Sequence, residues 1–350
     1  MLKHFLLAAL LVSPAWAQAP DELEELMHFD VIKVEIGKEL LPLVSARPAP
    51  LIQEMSEVRK QLDEERRFVL PGVRFRDNTA LKGKEFVIFL REQEVARGEV
   101  EPQMYLAAAK QPAILKNIPG RPMEPGSGFY ARWIDPKLRD KAEKAGCFVL
   151  GPEELVGWKI RRAVVEHAGQ VFGRQEMLVA LPELLSGAMN SDLAAQDRCL
   201  RVCQNLLEER LPPQVKAVAE LVLDKGQVRS DADSLTERAR ATLKNWICAD
   251  LAADPKSKSI VVATLNPALE SKIREAASWG TDGLTIRDVA ALGKELGTAL
   301  SKSKGSEVLY VPDELRLAVH RLLTPEFSDW SVLGHSEVAA GYIVKKTHVL

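Results

Sequence analysis

The chain has 350 residues, 46% of them hydrophobic and 27% charged, with 47 basic and 49 acidic side chains for a formal net charge of −2. Neither sign gathers into long blocks, which argues against a nucleic-acid platform or a reader of acidic membranes and leaves other proteins as the expected partners. The length predicts two or three compact units rather than one core.

The first predicted element is a signal peptide over residues 1–17. Lys3 and His4 precede an apolar run from Phe5 to Val12, and Ser13-Pro14-Ala15-Trp16-Ala17 supplies a breaker and small residues for cleavage after Ala17. The run is shorter than the roughly 20 residues a membrane span requires. The sequence therefore predicts an exported chain, periplasmic or secreted, with membrane association through an uncleaved signal as the alternative. Residues 18–27, carrying Asp21, Glu22, Glu24 and Glu25, read as a linker.

Leu51, Ile52, Met55, Val58 and Leu62 then recur at helical spacing, with Glu57, Arg59, Lys60 and Asp63 on the opposite side. Residues 68–70, 73–75, 86–90 and 95–100 read as short strands parted by Pro71-Gly72, Lys82-Gly83 and Glu92-Gln93. The last two form a hairpin. Residues 114–128 are rich in Pro and Gly and read as a loop leading into Trp133 and Ile134.

Asp135-Pro136 starts a helix, an acceptor at the N-cap followed by Pro at the first helical position, and Gly146 stops it. A strand over 147–150 follows. Val156, Ile160, Val164, Ala168 and Val171 mark the next helix, and residues 175–247 show helical spacing without a strand. Residues 252–259 form a polar linker. Beyond it strand and helix alternate: strand 260–265, helices 268–277 and 289–300, strand 307–311, helix 314–323, and strands near 331–333 and 342–345. Such alternation predicts a small layered α/β unit.

The four cysteines, Cys147, Cys199, Cys203 and Cys248, are too few and scattered for a disulfide scaffold. Cys199 and Cys203 stand one helical turn apart, a spacing unsuited to a disulfide, and read as buried thiols. No phosphate-cradling loop, dinucleotide fingerprint, nucleophile elbow or paired-His motif occurs. His28, His167, His320, His335 and His348 are isolated from one another and from Cys. No catalytic, cofactor-binding or metal-ligating residue is assigned, and no small-molecule substrate is expected.

From about Val31 onward, a series of short motifs resembles the C-terminal domain of the FHIPEP family, the export gates of flagellar and type III secretion systems. Val34-Glu35-Ile36-Gly37 and Leu40-Leu41-Pro42-Leu43-Val44 resemble its opening strand and the Pro-Leu-Val segment that follows it. Residues 68–78, F-V-L-P-G-V-R-F-R-D-N, are similar to F-V-L-P-P-V-x-I-R-D-N, and Ala96-Arg97-Gly98-Glu99-Val100 to A-x-G-E-V. Trp133-Ile134 and Gly173-Arg174-Gln175-Glu176 are similar to W-I and G-R-Q-E. Residues 202–209, V-C-Q-N-L-L-E-E, resemble V-L-Q-N-L-L-x-E. Asp231, Leu235-Thr236-Glu237 and Arg240 resemble D-P-x-x-L-T-E-x-V-R, and residues 265–270, L-N-P-A-L-E, resemble L-D-P-x-L-E.

The resemblance implies an α/β and α+β multidomain chain: a first α/β unit over 28–102 plus 152–171, an inserted small α+β unit over 103–151, an all-helical unit over 172–250 and a C-terminal α/β unit over 251–350. It implies a non-enzymatic platform that binds export chaperones and other secretion components and assembles as a ring below a membrane-embedded gate. The family's chaperone dock corresponds here to residues 124–130, Glu124-Pro125-Gly126-Ser127-Gly128-Phe129-Tyr130, with Trp158 in place of a later Thr. Ser127 replaces the phenylalanine that fills the dock. Glu124, Ser127, Phe129, Tyr130 and Trp158 are thus the candidate partner-binding residues, with the three rings as a substitute aromatic patch or as core. After Glu209-Arg210 the family's V-x-I-R-D gives way to Leu211-Pro212-Pro213-Gln214, so its Arg-Asp pair is missing. The signal peptide stands where the family carries its transmembrane gate. Besides the export platform, two readings stay open: a periplasmic or secreted binding module without a link to export, and an enzyme on the same scaffold.

Overall fold

Ile32, Val34 and Ile36 alternate with Lys33 and Glu35, and this period of two becomes β1 (Ile32–Ile36), its three apolar side chains buried. The computed structural model describes residues 30–126, 129–181, 192–224, 231–254, 256–303, 306–323 and 327–350, residues 124–126 by their backbone alone. The expected signal peptide, the 18–27 linker and Ser127 lie outside the described residues. Helix α1 (Pro50–Arg66) starts on Pro50 and buries Leu51, Met55, Val58 and Leu62 on one face.

Strands β2 (Val73–Asp77), β3 (Glu85–Leu90) and β4 (Gln93–Glu99) complete a first sheet of order β2-β1-β3-β4, parallel between β1 and β2 and antiparallel elsewhere. Residues 68–70, expected as a strand, instead form an extended segment outside the sheet. Phe68 and Leu70 are buried and Val69 is exposed, so the alternation is genuine but serves packing on the core rather than strand pairing.

Strands β5 (Tyr105–Ala109), β6 (Arg121–Gly126), β7 (Phe129–Ile134) and β8 (Phe148–Leu150) form a second, antiparallel sheet of order β6-β7-β5-β8. β6 replaces part of the expected loop. Its Pro122 and Pro125 are tolerated because it is an edge strand, where missing N–H donors break no internal ladder. Helix α2 (Arg139–Lys144) covers one face; the Asp135 side chain accepts from the Lys137 N–H at 2.9 Å, and Gly146 takes φ +90° to end the turn. Ala107, Ala109, Ile134 and Val149 pack there against Leu115, Ile118, Ala142 and Cys147.

Helix α3 (Pro152–Glu166) returns the chain to the first sheet and packs against α1. Then follow α4 (Arg174–Ala180), α5 (Leu193–Glu208), α6 (Val215–Leu223), α7 (Ala232–Thr242) and α8 (Lys244–Leu251), a layer with no strand among its described residues. Cys199 and Cys203 lie buried with free thiols on the inner face of α5, beside Val202 and Leu206.

The last sheet is wholly parallel, of order β13-β12-β9-β14, from β9 (Ser259–Thr264), β12 (Val308–Val311), β13 (Ser331–Gly334) and β14 (Ile343–Val349). Both faces are covered, as parallel sheets require. Ile260, Val262, Val308 and Leu333 join the core shared with the helical layer. Ala263, Leu309 and Val311 pack on the other side against α9 (Pro267–Ala276), α10 (Val289–Leu300) and α11 (Asp313–Leu322). A hairpin of β10 (Ala277–Gly280) and β11 (Gly283–Ile286) interrupts this alternation and was not expected. Among the described residues no helix is long and apolar enough to cross a membrane.

Candidate partner-binding surface

In β7, Phe129, Ala131 and Trp133 occupy one face of the second sheet and Tyr130, Arg132 and Ile134 the other, as a pleated strand requires. The register aligns a cross-strand row on the first of these faces: Met123 opposite Ala131, Ala131 opposite Ala108, Ala108 opposite Phe148. One end of this face is covered, with Trp133 and Leu106 buried in the main core. The other end is open. Met123 and Phe129 are each 42% exposed and Phe148 is 61% exposed.

Phe129 and Tyr130 therefore belong to opposite faces and do not form one patch. Phe129 shares its face with Met123 and Phe148, which sequence reasoning missed; the alternation of residues 147–150 marks a strand, but the strand's register, and hence its neighbours, cannot be read from it. Glu124 lies in β6. Trp158 stands exposed on α3, with Lys159 Nζ 5.5 Å and Arg162 Cζ 5.8 Å from its ring centroid. The register places Tyr130 beside Ala109, at the end of β5 away from the Leu106–Leu150 pair where the chain turns toward α3.

The polar motif residues mostly hold the fold. Asn78 donates through Nδ2 to Glu35 at 2.7 Å and accepts the Ala80 N–H at 2.8 Å, closing a turn. Glu176 accepts the Gly173 N–H at 2.8 Å, while Arg174 pairs with Asp197 at 2.5 Å rather than with Glu176. Gln204 Nε2 donates to the Phe172 carbonyl and Asn205 Nδ2 to Thr236 Oγ1, both at 3.0 Å.

Three further motif residues, Glu209, Glu237 and Arg240, meet Arg316 and Glu337 in the interior. Arg240 donates to Glu209 at 2.5 Å and to Glu337 at 2.6 Å. Arg316, 1% exposed, donates to Glu209 at 2.5 Å and through Nε to Glu237 at 2.6 Å. Burial alone would raise the Glu209 carboxyl, but the charges of Arg240 and Arg316 hold it well below the usual carboxylate range. At the rim, burial pushes Glu237 up against the pull of Arg316. Burial also holds His320 below the ordinary histidine range, outweighing the attraction of Glu209. Among the described residues no group of His, Cys, Asp and Glu is arranged to hold a metal ion.

The model of the FHIPEP family matches residues 12–342. The flagellar biosynthesis protein FlhA of Bacillus subtilis (strain 168) is 28% identical over 352 residues, covering 95% of this chain and 51% of FlhA. The chain thus spans about half the length of the curated relatives it matches. Chlamydia pneumoniae CdsV has the same fold, with a TM-score of 0.73 at 20% identity over 91% of this chain and 97% of CdsV. CdsV in complex with CdsO gives a TM-score of 0.71 at 19% identity over 90% and 96%. The nonameric EscV cytosolic domain from the type III secretion system gives 0.66 at 13% identity over 92% and 96%.

These similarities correct the exported, periplasmic or secreted placement expected from the N-terminus. The family match begins at residue 12, inside the apolar run read as a removable signal, and the EscV domain of like fold is cytosolic. A short apolar run behind one lysine does not itself assign a compartment.

Proposed function

The chain belongs to the FHIPEP family, and from that premise we propose that it is a non-enzymatic protein-binding platform of a flagellar or type III export apparatus, working on the cytosolic side. The open half of the second sheet's apolar face carries this reading. Met123, Phe129 and Phe148 present apolar side chains to solvent from three strands, on a rigid antiparallel support, and exposed apolar clusters of this kind mark protein-binding sites. Phe129 stays in the proposed site, beside the edge strand that carries Glu124; Tyr130, on the other face of the sheet, and Trp158, exposed on α3, serve separate contacts. The three sheets and the helical layer support reading the chain as the four units 28–102 plus 152–171, 103–151, 172–250 and 251–350. The nonameric EscV and the CdsV–CdsO complex support a ring and a protein partner for this chain too.

Ser127 in place of the family's dock phenylalanine removes an apolar anchor, a change that typically costs about 2 kcal/mol or more, at least roughly thirtyfold in affinity. Flagellar export chaperones are therefore not the partners. Titration of the purified protein with a flagellar chaperone and its cargo tests this: no binding at micromolar concentration is expected, and micromolar or tighter binding refutes it. For the native partner, Phe148→Ser and Phe129→Ala abolish co-purification. Retention by both variants moves the binding surface elsewhere. Sedimentation at high concentration is expected to show a ring-sized species.

A further inference from the structure

Asp233, Glu237 and Arg240 follow one another at i, i+4 and i+7 on α7, a spacing that sets them on one face of the helix. Each reaches across to the unit built on the parallel sheet. Asp233 accepts from Arg321 at 2.6 Å and from the Leu284 N–H of the β10–β11 hairpin at 2.9 Å. Glu237 accepts from Arg316, and Arg240 donates to both oxygens of Glu337, at 2.6 and 2.9 Å, and to the Val332 carbonyl at 3.4 Å. Glu209, from the end of α5, bridges Arg240 and Arg316.

Side chains of Arg240, Arg316, Glu209 and Glu337 are all less than 8% exposed. Charges buried to this extent are costly unless every partner is in place, so such a chain of ion pairs specifies one arrangement more than it adds stability. Sliding α11 by one turn along α7 would strand at least two of these charges away from water. The apolar contact of Ile260, Val262, Val308 and Leu333 with the helical layer has no such directional demand.

The first sheet meets the same region differently. Between α3 and α11 lies a cleft of about 810 Å³ bordered by Arg162, His167, Glu208, His320, Arg321 and Ser328. Arg162 pairs there with Glu166 and Arg321 with Asp233, each on its own side, while the first sheet's unit is joined to the helical layer by a shared apolar core and by bonds to the Arg210 and Phe172 carbonyls, with no buried ion pair among those bonds.

We propose that the helical layer and the parallel-sheet unit form one cooperative body, registered against each other by the buried chain Glu337–Arg240–Glu209–Arg316–Glu237, so that neither opens without the other. The inference is independent of the partner-binding reading.

Hydrogen exchange on the full chain tests it. Amides of α7 and of β12 with α11 should open together, with one common urea midpoint, while β1 and β3 of the first sheet follow their own. Different midpoints for α7 and α11 overturn the proposal. Arg316→Met should lower protection at least tenfold in both α7 and α11. Loss confined to α11, or no loss in either, overturns it as well. Should that variant not fold, Glu237→Gln, at the more exposed end of the chain, is read in the same way, with a smaller loss expected in both elements.

Discussion

Arg66, at the end of α1, donates through Nη1 to the carbonyl of Arg210 at 2.6 Å although 144 residues separate them. Its guanidinium also lies 5.9 Å from the Trp246 ring centroid. This single side chain ties the first sheet's helix to the turn after α5. Arg66→Met keeps the apolar stem but leaves the Arg210 carbonyl without its charged donor, an expected loss of about 2 kcal/mol. Urea denaturation followed by circular dichroism checks it; an unchanged midpoint would show that water replaces the guanidinium without penalty.

Gln204 serves the same junction from α5. Gln204→Leu removes the donor to the Phe172 carbonyl, and Phe172 is 2% exposed. An expected loss of about 1–3 kcal/mol follows from the buried, unsatisfied carbonyl. Gln204→Glu should cost at least as much, since a carboxylate cannot donate there.

Two residues on the same sheet face should respond very unequally. Trp133, 6% exposed, lies in the covered half, so Trp133→Ala is expected to cost about 3–5 kcal/mol. Phe148, 61% exposed in the open half, should tolerate Ser within about 0.5 kcal/mol. Equal losses in thermal unfolding would mean that the open half is covered in solution.

Acid should act through His320 first. Its folded-state pKa lies below the ordinary 6.5, so as pH falls from 7 toward 5 the unfolded chain binds the proton first and stability drops. Glu209 has the same sign at lower pH: its contribution is present above about 4.5 and is lost as pH falls further. Glu208 and Glu237, raised by burial, act in the opposite sense. His320→Gln removes the first effect, so the variant should gain on the parent in urea midpoint between pH 7 and 5. A constant difference between the two across that range would contradict the assignment.

Gly283 holds φ +105°, and a Cβ built there would sit 2.4 Å from Asp233 Oδ2. Gly283→Ala is therefore expected to cost about 1–3 kcal/mol through backbone strain, besides displacing the carboxylate that anchors the hairpin. Faster amide exchange at residues 283–286, with the β9 amides unchanged, is the expected signature.

Much of the chain was legible because its local signals agree with its tertiary roles. The spacing of residues 51–62, the Asp135-Pro136 start and the strand–helix alternation after residue 259 all appear as expected elements. What escaped depends on partners distant in sequence. β6 is hidden by Pro122 and Pro125, whose tolerance reflects an edge position that only the sheet reveals. The β10–β11 hairpin follows Ala276 without a break in the helical pattern; its anchor, Asp233, is 51 residues from Leu284. Among the candidate binding residues, the rings of Phe129, Tyr130 and Trp158 could be named from the sequence, but not whether they are core or surface; all three are exposed. The companions Met123 and Phe148 could not be named, because cross-strand neighbours are set by pairing register and not by local sequence. Likewise the motif residues Glu209, Glu237 and Arg240 could be named, but their common counter-ion chemistry depends on Arg316 and Glu337, 79 to 107 residues away.

β9 is an inner strand of the parallel sheet, yet its neighbour on one side is β14, which follows it in the chain only after β12 and β13. On a translating ribosome, β9 and the carboxylate of Glu237 emerge well before the residues that complete them. Until Arg316 and then Ile343–Val349 leave the exit tunnel, the nascent chain carries an unpaired strand edge and an unmatched acidic helix face. The parallel-sheet unit can thus be finished only once Ile343–Val349 has emerged, a delay that leaves it open to holding chaperones and proteases while the first two sheets are already able to form.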